Sequence, residues 1–118
     1  MKVQKIGISY KGKKITLRLK VCRGLNEAIG LMFKRRENAS ALLFTFKNKV
    51  KMAIHSWFVF FPFVAIWLNK ENKIIDIKIV KPFEFSISPS EKYFKLIEIP
   101  INKRYSKIIN ILVDTRKI

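Results

Sequence analysis

Short strand-type segments separated by turns constrain the fold of this chain more than any other feature of its sequence. In residues 14–22, apolar side chains at odd positions alternate with polar ones at even positions. This alternation predicts a strand with one buried face. Residues 3–9 form a similar segment, and Tyr10-Lys11-Gly12-Lys13 supplies a turn between the two. We therefore predict that the chain begins with a β-hairpin.

The rest of the chain continues in the same style, with one exception. Asn26 can cap a short helix, because Ala28, Ile29, Met32 and Phe33 follow it at helical spacing. Further strands are predicted at residues 42–46, 54–60, 64–68, 73–81, 93–99 and 110–113. This pattern predicts a mostly β fold, a small closed antiparallel β-barrel with one short α-helix, and a single domain over residues 1–118.

The aromatic segment WFVFFPFVAIWL, residues 57–68, raises the question of a membrane span. It is shorter than the roughly 20 residues that a spanning helix needs, and Pro62 interrupts it. We therefore expect no membrane span and interpret the segment as two buried strands. The N-terminus lacks the apolar block of a secretory signal, so we expect a cytoplasmic protein.

Chemistry-bearing residues are few. Cys22 is the single cysteine, so we expect no disulfide partner and no thiolate metal cluster. His55 is the single histidine, and neighbours in a strand point to opposite faces, so His55 and Ser56 cannot form a base and nucleophile pair. The sequence therefore predicts no catalytic residue, no metal site and no cofactor, and a protein that is not an enzyme.

The charge distribution is the strongest indication of function. The 118 residues contain 25 Lys and Arg against 8 Asp and Glu, a net charge of +17. Through Met52 there are 14 basic residues against 2 acidic ones, a net +12, whereas the chain from Ala53 has 11 against 6, a net +5. A shortage of acids concentrated in one half favours an anionic partner.

RNA is the anionic partner that we predict. No RNP-type aromatic motif or zinc finger is present, so recognition would depend on phosphates and shape rather than on bases. We expect ribosomal RNA, with neighbouring ribosomal proteins as further partners. The candidate contacts lie on the hairpin, in the turn after the predicted helix and in a basic segment near residue 50: Lys11, Lys13, Lys14, Arg18, Lys20, Arg23, Lys34, Arg35, Arg36, Lys47, Lys49 and Lys51.

Five motifs occur in the order found in a known family. They are GLMFK at 30–34, LLFTF at 42–46, IHSWFVFFP at 54–62, WLNKENKIID at 67–76 and LIEIP at 96–100. Together they resemble the domain-of-unknown-function 192 family, in a divergent archaeal-type form, over residues 15–114. The resemblance implies a small closed β-barrel with one short helix. The family has no established activity, so the resemblance implies no reaction.

One departure from the family pattern argues against a family pocket that uses an Asp in this region, and two hypotheses besides RNA binding remain. The family usually has an Asp where this chain has Val64. An alternative function is an accessory or small-ligand-binding module with a pocket near Trp57, Trp67 and Glu98. A third hypothesis is attachment to an anionic membrane surface, which predicts that Phe60 or Phe61 is exposed.

Overall fold

A six-stranded sheet forms the frame of the protein in the computed structural model, which describes residues 2–22, 31, 34–56, 58–84 and 86–113. The strands are β1 (Val3–Tyr10), β2 (Lys13–Cys22), β3 (Leu42–Val50), β4 (Phe63–Leu68), β5 (Ile74–Val80) and β6 (Tyr93–Pro100). Short 3-10 helices cover Arg36–Asn38 and Lys103–Tyr105, and the α-helix α1 covers Ser106–Leu112. Five of the six strands match predicted segments closely, whereas β3 continues four residues beyond its predicted segment at 42–46.

The β1–β2 hairpin forms as predicted. Its register runs without interruption from Val3 opposite Lys20 to Tyr10 opposite Lys13. The two turn residues, Lys11 and Gly12, have φ angles of 49° and 78°. Positive φ at both central residues matches the twist of the flanking strands, and glycine adopts it without steric cost.

The sheet is an open half-barrel, so the prediction of a closed antiparallel barrel is wrong. The strand order is β1-β2-β3-β6-β4-β5, and β2 pairs with β3 in parallel. The two edge strands, β1 and β5, are linked by one isolated bridge, between Ser9 and Lys73. Alternation within a strand reveals its buried face but not its neighbour, so it could not predict a parallel pair.

Two predicted strands do not form. Residues 110–113 were expected to be the last strand, but α1 covers most of them and packs Ile109 and Leu112 into the core. The structure therefore has a helix that packs on the inner face of the sheet, whereas the prediction had a strand in this part of the chain. The described residues of the predicted strand 54–60 form no strand either, and among them only Ile54 makes an isolated bridge, to Ile87. The predicted helix that follows Asn26 lies outside the described residues.

The sheet has a hydrophobic cluster on each face. The inner cluster joins alternate residues of β1 and β2, such as Ile8 and Leu17, to β3, β4, β6 and α1. The outer cluster includes Phe61, Trp67 and Tyr93 and lies under the segments that flank β4 and β5. Since both faces are covered at the centre, every residue of β4 is buried. The outer face of the hairpin belongs to neither cluster, apart from Cys22 at its end.

Candidate nucleic-acid interface and a buried acidic site

The outer face of the β1–β2 hairpin carries an aligned set of cations. On β2, Lys14, Arg18 and Lys20 are exposed, whereas the intervening apolar residues are buried in the inner cluster. Because strand residues alternate between faces, these three side chains share the outer face, as predicted. The strand register adds Lys5, which lies directly opposite Arg18.

Lys5 is a site residue that the sequence analysis did not identify. The signal was present in the two-residue turn, because this turn fixes which β1 residue faces each β2 residue. Like charges that lie directly opposite each other destabilise a β-sheet. The Lys5–Arg18 pair therefore carries an electrostatic cost in the free protein that a bound anion would remove.

The middle of this face carries small residues. Gly7 lies opposite Thr16, and a Cβ atom added to Gly7 would come within 3.2 Å of Cε of Lys14. The alkyl chain of Lys14 thus lies across the position that a larger side chain would fill. The small residue at position 7 therefore lets the Lys14 side chain lie across the centre of the cationic face.

No carboxylate neutralises this face within the hairpin. The chain has no Asp or Glu before Glu27. Hydrogen bonds of the lysines elsewhere go to neutral acceptors, such as Lys78 Nζ to the Ser88 carbonyl at 2.5 Å. Across the portion of the chain that the structure describes, no Lys or Arg side chain forms an ion pair with a carboxylate. The positive potential of the hairpin is therefore not cancelled locally.

The other predicted contacts are placed differently. Lys11 and Lys13 lie at the hairpin tip, where the Lys11 ammonium is 5.3 Å from the centre of the Tyr10 ring. Lys34 and Arg35 are exposed, but Nε of Arg36 donates a 2.6 Å hydrogen bond to the Ile101 carbonyl. Arg36 thus has a structural role that competes with a phosphate contact.

The basic segment near residue 50 is separate from the hairpin. The last β2–β3 pair joins Cys22 to Phe44, and Lys47, Lys49 and Lys51 follow at and beyond the far end of β3. The register therefore does not bring these three cations onto the hairpin face. Arg23 lies outside the described residues.

A second candidate site is built around a buried acid on the outer face of the sheet. Glu98 is 8% exposed and pairs across the sheet with Leu42 and Ala65, which belong to the outer cluster. Burial raises the pKa of Glu98 to about 8. A carboxyl group in apolar surroundings favours its neutral form, which can donate a hydrogen bond.

Two aromatic residues border this acid. Trp67 is a diagonal neighbour of Glu98 across β4 and β6, and its ring centroid lies 6.4 Å from that of Tyr93. The Trp67 indole N–H is buried and makes no full hydrogen bond among the described residues; its weaker interaction with the Tyr93 hydroxyl acts to lower the pKa of that phenol, against the larger effect of burial. The Tyr93 hydroxyl donates a 2.8 Å bond to the Met52 carbonyl, and burial raises the pKa of this phenol. Trp57, the third predicted pocket residue, lies outside the described residues.

The remaining candidate residues have structural surroundings. Ser56 is fully buried, and its Oγ donates to the Lys81 carbonyl at 2.6 Å, so it links two loops. Cys22 is buried at the end of β2. Val64 lies in the inner cluster, on the opposite face of the sheet from Glu98. An Asp at that position would therefore not have bordered the Glu98 site.

Two solved structures share the fold of this chain. A protein of unknown function from Novosphingobium aromaticivorans DSM 12444 matches with a TM-score of 0.73 and 14% identity, over 90% of this chain and 78% of that one. A structure from Sinorhizobium meliloti 1021 matches with a TM-score of 0.70 and 19% identity, over 86% and 81%. At these identities the likeness shows the fold alone.

Sequence comparison identifies the family. Residues 8–111 match the model of the DUF192 family (Uncharacterized ACR, COG1430), and the chain belongs to this family, as the motifs predicted. The UPF0127 protein PH1112 of Pyrococcus horikoshii is 26% identical over 76 residues, which are 64% of this chain. The match covers 65% of that relative, so this chain spans just under two thirds of its length.

Proposed function

We propose that this protein binds RNA through the outer face of the β1–β2 hairpin. The observation that carries the proposal is the aligned set Lys5, Lys14, Arg18 and Lys20 on a face without carboxylates. Such a set neutralises phosphates and gains affinity by releasing their counterions.

Phosphate contact alone explains how this face would act. Arg18 can contact a phosphate with two parallel hydrogen bonds, whereas the lysines act as point charges. These contacts position an RNA without reading its bases. A partner of fixed identity, such as ribosomal RNA in a ribosomal subunit, needs no base code. We therefore propose a non-enzymatic, cytoplasmic protein that contacts ribosomal RNA and, beside it, ribosomal proteins.

A matched pair of charge variants tests the proposal. Lys5→Gln/Arg18→Gln removes two charges from the hairpin face, and Lys47→Gln/Lys49→Gln removes two from the far end of β3. Both variants have the same net charge. We expect the hairpin variant to bind a ribosomal RNA fragment more weakly than the control variant does, in moderate salt. Equal affinities for the two variants would contradict binding by the hairpin.

The ribosomal part of the proposal has a separate test. The wild-type protein should co-sediment with ribosomal subunits from its own cell in moderate salt, and the hairpin variant should remain in the supernatant. If RNA fragments bind but the protein never sediments with either subunit, RNA binding stands and the ribosomal assignment fails.

A small-ligand site at Glu98 is the second candidate function. It is favoured by the buried carboxyl and by the buried Trp67 indole N–H, which makes no full hydrogen bond among the described residues. A neutral carboxyl and an indole would both donate hydrogen bonds to acceptor groups of an uncharged ligand. Thermal-shift screening of Glu98→Gln against wild type tests it, since ligands of this site should stabilise wild type more. Ligands that stabilise both proteins equally would place the site elsewhere.

A further inference from the structure

Exposed aromatic side chains gather on two loops that flank β4 and β5. Phe58, Phe60 and Phe83 have 44%, 59% and 49% of their surface exposed. The rings of Phe60 and Phe83 are 5.6 Å apart, in contact across the two loops. We call these three residues the aromatic patch. Large apolar side chains exposed side by side are typical of a surface that binds a partner or a membrane.

Buried Ser56 holds the two loops together. Its backbone N–H donates to the Glu84 carbonyl, and its carbonyl accepts the N–H groups of Val59 and Phe83 at 3.1 and 2.9 Å. Its Oγ also accepts the Glu84 N–H at 2.6 Å. The patch is therefore a built feature of the fold, fixed by hydrogen bonds on both sides.

The backbone of the patch is strained. Phe58 and Phe83 have φ angles of 56° and 61°. The left-handed region is unfavourable for bulky residues, and such conformations persist only where the surrounding structure enforces them. In these loops, the two residues with strained backbone are also residues whose aromatic rings are exposed.

The same loop separates anchoring residues from displayed ones. Val59 and Phe61 are 3% and 2% exposed and belong to the outer cluster. Phe58 and Phe60, which precede them in turn, are exposed and do not belong to it. Of the two aromatic residues in the third hypothesis, Phe60 is thus exposed and Phe61 is buried. Burial and exposure thus alternate along this loop, and only every second residue contributes to the core.

The segments that lead into the patch carry a net positive charge. Lys51 and Lys81, both exposed, lie in the two segments that lead into the patch. Glu84, the acid next to Phe83, accepts a hydrogen bond from the Lys81 backbone N–H at 2.8 Å, and these segments thus hold two lysines against one carboxylate. Aromatic rings at the level of the headgroups, with lysines beside them, are the combination that binds anionic bilayers.

We propose that the aromatic patch attaches the protein to the surface of an anionic lipid bilayer. Phe58, Phe60 and Phe83 insert at the level of the headgroups, and the neighbouring lysines contact lipid phosphates and carboxylates. Stacking on nucleic-acid bases fits the geometry less well, because the Phe60 and Phe83 planes meet at 72°. Successive stacked bases are parallel and need parallel rings.

Vesicle sedimentation tests this proposal with the full chain. The probes are vesicles of phosphatidylcholine alone and of equimolar phosphatidylcholine and phosphatidylserine. The variants are Phe60→Ser and Phe83→Asn, since Asn tolerates the left-handed backbone at position 83. The control is Ile111→Ser, which removes an apolar side chain that is 40% exposed on α1. Circular dichroism establishes that each variant is folded.

The expected result is binding to the anionic vesicles, weakened about tenfold by either patch variant and unchanged by the control. Absence of binding to anionic vesicles would overturn the proposal. Equal binding by all variants would also overturn it, because the charge of the protein alone would then explain the attachment. If the patch variants instead lose affinity for single-stranded RNA while vesicle binding persists, the patch stacks on bases and the membrane assignment is wrong.

Discussion

Glu98 should make the stability of this protein fall as pH rises. Its carboxyl lies in the apolar outer cluster, 8% exposed, without an ion-pair partner among the described residues. Burial raises its pKa from 4.5 to about 8. The substitution Glu98→Gln keeps the shape of the side chain and removes the titration, so comparison of the two proteins isolates this one group.

The sign and size of the effect follow from proton binding. Between pH 4.5 and about 8, the folded state holds the Glu98 proton and the unfolded state releases it. The free energy of unfolding therefore decreases with rising pH across this window. At 1.36 kcal/mol per pH unit, the full loss is on the order of 5 kcal/mol, reached above about pH 8. This is comparable to the whole stability of a small domain.

Urea unfolding, followed by circular dichroism from about pH 4 to about pH 9, measures this effect. The two proteins should have similar free energies of unfolding at the acid end. At the alkaline end, Glu98→Gln should be more stable by several kcal/mol. Glu71→Gln, at an exposed carboxylate in the β4–β5 turn, is the control and should follow wild type throughout. A stability difference between Glu98→Gln and wild type that stays constant with pH would refute the reasoning.

Three further substitutions test the packing of the fold by urea unfolding. Ser56→Ala should destabilise the protein by about 1–3 kcal/mol, since two backbone groups of the facing loop lose their partner; no change would contradict its role as the link between loops. Tyr105→Phe should cost a similar amount, because the buried Ala41 N–H donates to the Tyr105 hydroxyl at 2.7 Å. A wild-type stability would show that this bond is replaced. Lys11→Asn should stabilise the hairpin by a few tenths of a kcal/mol, because Asn adopts positive φ before Gly12 more easily than Lys. A loss of stability would contradict the turn geometry.

The sequence predicted individual strands better than their arrangement. The two hairpin strands could be predicted from their alternation of apolar and polar residues. The three strands β4, β5 and β6 could be predicted because each is a short apolar or alternating segment bounded by turn residues. Closure of the barrel could not be predicted, since it depends on whether β1 and β5 pair along their length. The C-terminal segment was misassigned because residues 110–113 are mostly apolar, whereas the buried positions Tyr105, Ile109 and Leu112 have helical spacing.

The candidate site was predicted only in part for the same reason. Alternation placed Lys14, Arg18 and Lys20 on one face, which the structure confirms. Lys5 joins them through the strand register. Arg36 was included on charge alone, and its bond to the Ile101 carbonyl depends on a contact between distant parts of the chain. The exposure of Phe60 beside buried Phe61 also depends on loop geometry that hydropathy does not encode.

The salt dependence of RNA affinity tests the central proposal most directly. The logarithm of the association constant for single-stranded RNA should fall linearly with the logarithm of salt concentration. Loss of two phosphate contacts in Lys5→Gln/Arg18→Gln should make this slope shallower by about 1.4, at about 0.7 per contact. Lys47→Gln/Lys49→Gln should retain the wild-type slope. Identical slopes for the two variants, or an affinity of the wild type that salt does not change, would contradict RNA binding by the hairpin face.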